Sequence, residues 1–129
     1  MDGVKTKLLK DKKLLKVIDL RRKLKRINVL VKILEKKATK EVFSKVTRRY
    51  HYITEYVVGD ETGIISLVVW NKSKDFKPGK TYLLEDVDVT FYNGIPKIIV
   101  RDDSSISLAK KDIRFSDINT GYRSEKKKK

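Results

Sequence analysis

The chain has 129 residues, 40% of them hydrophobic, enough for one domain with one modest core. No run reaches the roughly 18 apolar residues of a membrane span, the charged start from Lys5 leaves no room for an apolar secretory signal, and with no Cys there is no disulfide, thiolate metal site or Cys nucleophile. Net charge is +15 and sits at the ends: residues 1–40 hold 15 Lys and Arg against 4 Asp and Glu, residues 41–122 hold 12 against 12, and residues 123–129 hold 5 against 1. Basic ends bind polyanions by releasing condensed counterions; the alternative is a merely solvated, solubilising surface. His51 is the only His, so a His-based triad has one candidate base. One Met, no Gln and abundant Lys point to a thermophile.

In chain order, residues 4–26 mix Leu pairs with Lys and Arg. Leu8, Leu15 and Ile18 fall at i, i+7 and i+10, which predicts a short basic amphipathic helix over residues 4–16. Its apolar side has no Trp or Phe, so it reads as a helix or arm on the domain or on nucleic acid rather than on a membrane surface. Ile27–Glu35 alternates, with Ile27, Val29, Val31 and Ile33 on one face, and reads as a strand. KKATKEVF after it reads as a bent strand or a loop. His51–Val58 is a second strand, and Gly59–Gly63 (GDETG) is a turn in which Gly supplies positive φ and Asp and Thr bond nearby N–H groups. Ile64–Trp70 is the third strand. Pro78-Gly79 marks a turn in the polar connection that follows. Thr81–Tyr92 is the fourth strand, Asn93-Gly94 a hairpin turn, and Ile95–Asp102 the fifth strand, with Pro96 near its start, where a ladder tolerates it. Residues 103–122 are polar, with one short helix expected near Asp112–Ile118, and the last seven residues read as a disordered tail.

Five strands with four reversals and little helix predict an all-β fold. The expected architecture is a five-stranded OB-fold Greek-key barrel, which binds oligonucleotides across a strand face. The expected division is a basic N-terminal helical or extended arm (1–17), the barrel (18–108) and a C-terminal extension with a basic tail (109–129). In the third strand Ile65, Leu67 and Val69 share one parity and Ser66, Val68 and Trp70 the other. Trp70 is therefore read as an outward groove residue, against the alternative of a core Trp. Tyr92 is read the same way, against an ordinary cross-strand aromatic. Phe91, of opposite parity, is expected inside. Tyr50, Tyr52 and Tyr56 share a parity and either extend the aromatic face or meet a partner. His51 reads as a surface strand residue.

VGDETGIISLVVWN resembles the archaeal single-stranded-DNA-binding protein family, relatives of the OB domains of replication protein A. The carrying features are VGDETG with a Trp seven residues past its second Gly, INVLVKILE as a first strand, and YLLEDVDVTFYNGIPKI as a fourth strand and hairpin with an aromatic two before Gly. Together they cover about residues 18–108. The resemblance implies that GDETG joins the second and third barrel strands, and that Asp60 and Glu61 are not catalytic acids. It matches Trp70 and Tyr92 to the stacking aromatics, Ser66, Val68 and Thr90 to positions lining the same groove, and Lys40 and Val42 to the far end of the first strand. Where relatives often carry another Trp, this chain has Asp88, which replaces a stacking platform with a charge that repels phosphate. Where relatives often carry a long tail for protein partners, this chain has RSEKKKK.

The reading is a non-catalytic, sequence-independent binder of single-stranded DNA that acts in the cytoplasm on the nucleoid, as a monomer or small oligomer, without cofactor or metal. Trp70 and Tyr92 stack on bases, while Lys40, Lys72, Lys74 and Lys97 contact or steer phosphates. The alternatives are an RNA-binding OB module and a small subunit of a replication-protein-A-like complex acting through replication or repair protein partners.

Overall fold

Alternating β-branched residues set the main strands, and a computed structural model describes them over residues 13–70 and 75–122. Among the described residues seven strands form: β1 (Leu14–Leu15), β2 (Leu24–Ser44), β3 (Arg49–Asp60), β4 (Gly63–Trp70), β5 (Thr81–Tyr92), β6 (Ile95–Val100) and β7 (Ser105–Leu108). The five expected strands are β2 to β6. They lie in the order β2-β3-β4-β6-β5, and β5 pairs back onto β2, which closes the ring. β4 and β6 run parallel and the other ring neighbours antiparallel. This is the OB barrel. β1 and β7 add to its edges, β1 parallel to β2 and β7 antiparallel to β5. Both are too short to show an alternation in sequence.

The inward parity fills the barrel. Val29, Val31, Ile33, Tyr56, Val58, Ile65, Leu67, Val69, Leu84, Val87, Val89, Ile98 and Val100 form one cluster, and Phe76 packs edge-on against Tyr56 and Tyr82 at centroid distances of 5.4 and 4.9 Å. Burying each such side chain contributes about 1.5–3 kcal/mol. KKATKEVF is strand: β2 continues to Ser44 and bends at register shifts between Ile33 and Glu35 and between Lys36 and Ala38, as an extra unpaired residue does in a ladder. Beyond the barrel, β2 and β3 form a protruding hairpin whose tip exposes Val46 and Tyr50.

Several expectations change. Residues 1–12 lie outside the described residues, but the end of the predicted helix is not helical. Leu14 and Leu15 pair with Asn28 and Val29, and a 3-10 turn at Val17–Asp19 follows. That turn is held from outside: Val17 N–H donates to Asp60 Oδ2 at 3.0 Å and Ile18 N–H to Thr62 Oγ1 at 3.0 Å. The helix expected near Asp112–Ile118 shrinks to a 3-10 turn, Phe115–Asp117. Asp112 is bonded by Thr81 Oγ1 and by the buried Lys32, and Ile113 N–H donates to Thr81 Oγ1 at 3.0 Å, so these groups are drawn to the barrel instead of to a helix. The last seven residues lie outside the described residues.

GDETG is the expected reversal, but its glycines do not serve φ. The positive-φ glycines are Gly79 and Gly94, which complete the Pro78-Gly79 and Asn93-Gly94 turns. Gly59 and Gly63 permit close approach: a Cβ at Gly63 would lie 2.3 Å from the Tyr122 ring, and one at Gly59 2.8 Å from Ile64 Cγ2. Asp60 is buried, and besides Val17 N–H it accepts Thr62 N–H at 2.8 Å and Thr62 Oγ1–H at 2.6 Å. Glu61 pairs with Lys16. The turn is a clasp for both flanking segments.

Candidate nucleic-acid interface

The outward parity makes one face. Register aligns Glu55, Val68, Ile99 and Asp88 in one row across β3, β4, β6 and β5, and Val57, Ser66, Lys97 and Thr90 in the next. Ile53 stands opposite Trp70. The C-terminal segment covers part of this face, where Ile118 packs on Val57 and Ile64 with Leu34 and Ile113 around them. What stays open is a groove of about 250 Å³ lined by Ala38, Lys40, Val42, Ile53, Glu55, Val68, Tyr92 and Lys97.

Of the residues singled out in the sequence, the groove brings together Lys40, Val42, Val68, Tyr92 and Lys97. Trp70, half-buried at the end of β4, stands at the edge of the groove, opposite its lining residue Ile53. Partial burial pushes the Tyr92 hydroxyl above its ordinary value. Ser66 and Thr90 flank Lys97 in their row, outside the groove's lining. Lys72 and Lys74 lie outside the described residues.

Lys97 Nζ sits 3.0 Å from Glu55 Oε2 and 5.7 Å from the centre of the Tyr92 ring. Burial alone would raise the Glu55 carboxyl, but hydrogen bonds from Lys97 and Ser66 hold it below its ordinary value of 4.5. The groove thus has an apolar floor, an aromatic wall and two cations, one of them carrying its own carboxylate.

Asp88 lies on the expected face, but not as a bare charge. Arg101 Nη1 donates to it at 2.9 Å and Arg26 N–H at 3.0 Å, so its carboxylate is neutralised and holds two strands together. Tyr56 is a core residue, 1% exposed, whereas Tyr50 and Tyr52 stand out on the hairpin beyond the barrel. The tyrosine parity is therefore the core parity, and it does not extend the aromatic face. Phe91 is 39% exposed, past the end of the core rather than inside it. Sequence reasoning passed over Ala38, Ile53 and Glu55. The β3 members were findable, since alternation from Val57 backward marks Glu55, Ile53 and His51 as Trp70's face. His51 is indeed there, its ring edge-on to Trp70 at 5.7 Å and its Nε2 2.8 Å from Thr47 Oγ1.

Among the described residues no group of three or more His, Cys, Asp or Glu could hold a metal ion, and no helix is long and apolar enough to cross a membrane.

Residues 20–108 match the family described as single-stranded DNA binding protein Ssb-like, OB fold. The chain is 30% identical over 98 residues to the single-stranded DNA binding protein Ssb of Saccharolobus solfataricus, a stretch covering 75% of this chain and 65% of that protein, so it spans somewhat less than two thirds of the relative's length. Among solved structures, it resembles an OB domain from Thermoplasma acidophilum (TM-score 0.65, 21% identity, 79% of this chain and 92% of that one). It also resembles the second OB-fold domain of replication protein A from Methanococcus maripaludis (TM-score 0.60, 17% identity, 79% and 100%). At those identities the two structures speak for the fold.

Proposed function

The chain belongs to the Ssb-like OB-fold family of single-stranded DNA binding proteins, and from that premise we propose that it binds single-stranded DNA without regard to sequence, in the groove between the β2–β3 hairpin and Tyr92. The family is one of binding proteins, not enzymes. The observation that carries the reading is a groove that sets Tyr92 beside Lys40 and Lys97 over an apolar floor, with Trp70 opposite Ile53 at its edge. Two aromatic surfaces give successive bases something to stack on whatever their identity, at about 1–3 kcal/mol per base, and cations alongside track the backbone.

In this mechanism bases lie on Tyr92 and Trp70 over the floor of Val42, Ile53 and Val68. Lys40 and Lys97 meet phosphates, with Lys97 exchanging Glu55 for the strand. Ser66 and Thr90 border the path, and Lys72 and Lys74 add charge beyond the end of β4. The binding unit is residues 18–108. The protein acts in the cytoplasm, on nucleoid DNA.

The test is equilibrium binding of matched single-stranded DNA, single-stranded RNA and duplex DNA at two salt concentrations. Single strands should fill the groove and quench Trp70 emission. A clear preference for RNA would move the function to an RNA-binding OB module, and no quenching by either single strand would overturn the groove reading.

A further inference from the structure

A second basic surface lies away from the groove. A cleft of about 590 Å³ beside the 3-10 turn is lined by Lys13, Leu15, Ile18, Asp19, Arg21 and Arg22. Its one carboxylate is in use, because Asp19 Oδ2 accepts Lys16 N–H at 2.9 Å. Lys16 in turn is tied to Glu61. Arg26, Arg101 and Arg114 each meet an Asp, but among the described residues no carboxylate pairs with Arg21 or Arg22. The two guanidinium groups follow directly on Leu20, which is fully buried like Val17, and the turn before them is pinned to Asp60 and Thr62. They are displayed from an anchored backbone.

The cleft and the groove share no lining residue. Along β3 the groove is lined by Ile53 and Glu55 while the cleft lies by Asp60, which holds Val17 N–H: from Glu55 to Asp60 is five residues, about 17 Å at a strand's rise. The cleft also lacks any aromatic residue. With no aromatic platform for a base, what it offers is guanidinium and ammonium charge, which suits a phosphodiester backbone.

The other chain end converges here. Ile64 N–H donates to Tyr122 O at 2.8 Å, and the Tyr122 ring lies on Gly63.

We propose that this pole is a second nucleic-acid site, one that takes phosphodiester backbone alone and accepts duplex DNA as well as single strands. The groove selects unpaired bases and the pole does not. One chain can thus hold a single strand in the groove and the adjoining duplex at the pole.

The experiment uses the full chain and an Arg21→Ala/Arg22→Ala variant. Duplex DNA is followed by the anisotropy of a label on the DNA, and short oligo(dT) by Trp70 emission. Because each phosphate neutralised on duplex DNA contributes about −0.9 to the slope of log affinity against log salt, the variant should lose about 1.8 of that slope and bind duplex about tenfold more weakly at low salt. Quenching by short oligo(dT) should be unchanged. An Arg21→Lys/Arg22→Lys variant should restore duplex binding, since a backbone-only site needs charge and not fork geometry. Duplex affinity and slope equal to the parent's would overturn the proposal, and so would a lysine pair that fails to restore them. Failure of the groove reading would show separately, as absent quenching by oligo(dT) with duplex binding intact.

Discussion

Arg101 Nη1 donates to Asp88 Oδ2 at 2.9 Å, and Arg26 N–H shares the same carboxylate at 3.0 Å. One side chain on the outer face of β5 thus fixes the start of β2, where Arg26 sits at a φ of 55°, to the end of β6. Asp88 is a joint, and its charge is already met. Asp88→Trp removes the acceptor from a main-chain N–H and should cost about 1–3 kcal/mol of stability, with no gain in affinity for single strands. Urea unfolding and an oligo(dT) titration of the same variant check both halves. A stably folded, tighter-binding protein would show that the joint is dispensable and that an indole here reaches the DNA.

The ring strands were readable because alternation is a local signal. The fourth strand was expected at Thr81–Tyr92, where β5 lies, and the parity of Ser66 against Leu67 placed Trp70 outside. What stayed hidden depends on pairs distant in sequence. Nothing near Asp60 announces that Val17 N–H, 43 residues away, needs its carboxylate. Nothing near Gly63 announces Tyr122. The tyrosines of β3 misled for another reason. Tyr50, Tyr52 and Tyr56 share a parity, but the strand outruns the barrel, so that parity means core at Tyr56 and solvent at Tyr50.

Gly63 tests the clasp. Gly63→Ala places a methyl 2.3 Å from the Tyr122 ring and should destabilise by about 1–3 kcal/mol, the usual cost of overpacking. Adding Tyr122→Ala should recover part of that loss by vacating the space. A double variant no more stable than Gly63→Ala alone would mean that the strain lies in the backbone of the turn.

Glu55 sets both a pH dependence and an affinity. Its folded value is held below 4.5, so its pairing with Lys97 stabilises the fold above pH 4.5 and is lost as pH falls through the lower folded value. Glu55→Gln should flatten that part of the melting temperature's dependence on pH. It should also tighten single-strand binding, since Lys97 no longer exchanges a carboxylate for a phosphate, and steepen the salt slope by up to about 0.7. An unchanged slope would mean that Lys97 does not reach the backbone.

Trp70 is the only Trp in the chain, so its emission reports one position. It is half-buried, with the His51 ring edge-on beside it. If its face takes a base, oligo(dT) should quench it saturably and duplex DNA much less, because paired bases cannot lie on an aromatic platform without unstacking. Trp70→Ala should then weaken binding by about 1–3 kcal/mol. Tyr92→Phe separates the two parts of its side chain, keeping the stacking surface and removing only the hydroxyl. Near-parental affinity in Tyr92→Phe alongside a loss in Tyr92→Ala assigns the contribution to stacking. The reverse pattern, with Tyr92→Phe as weak as Tyr92→Ala, assigns it to the hydroxyl. A Trp70 that ignores oligo(dT), and whose Ala variant loses roughly 3–5 kcal/mol of stability instead, would be a packing residue, and base stacking at this end of the groove would have to be given up.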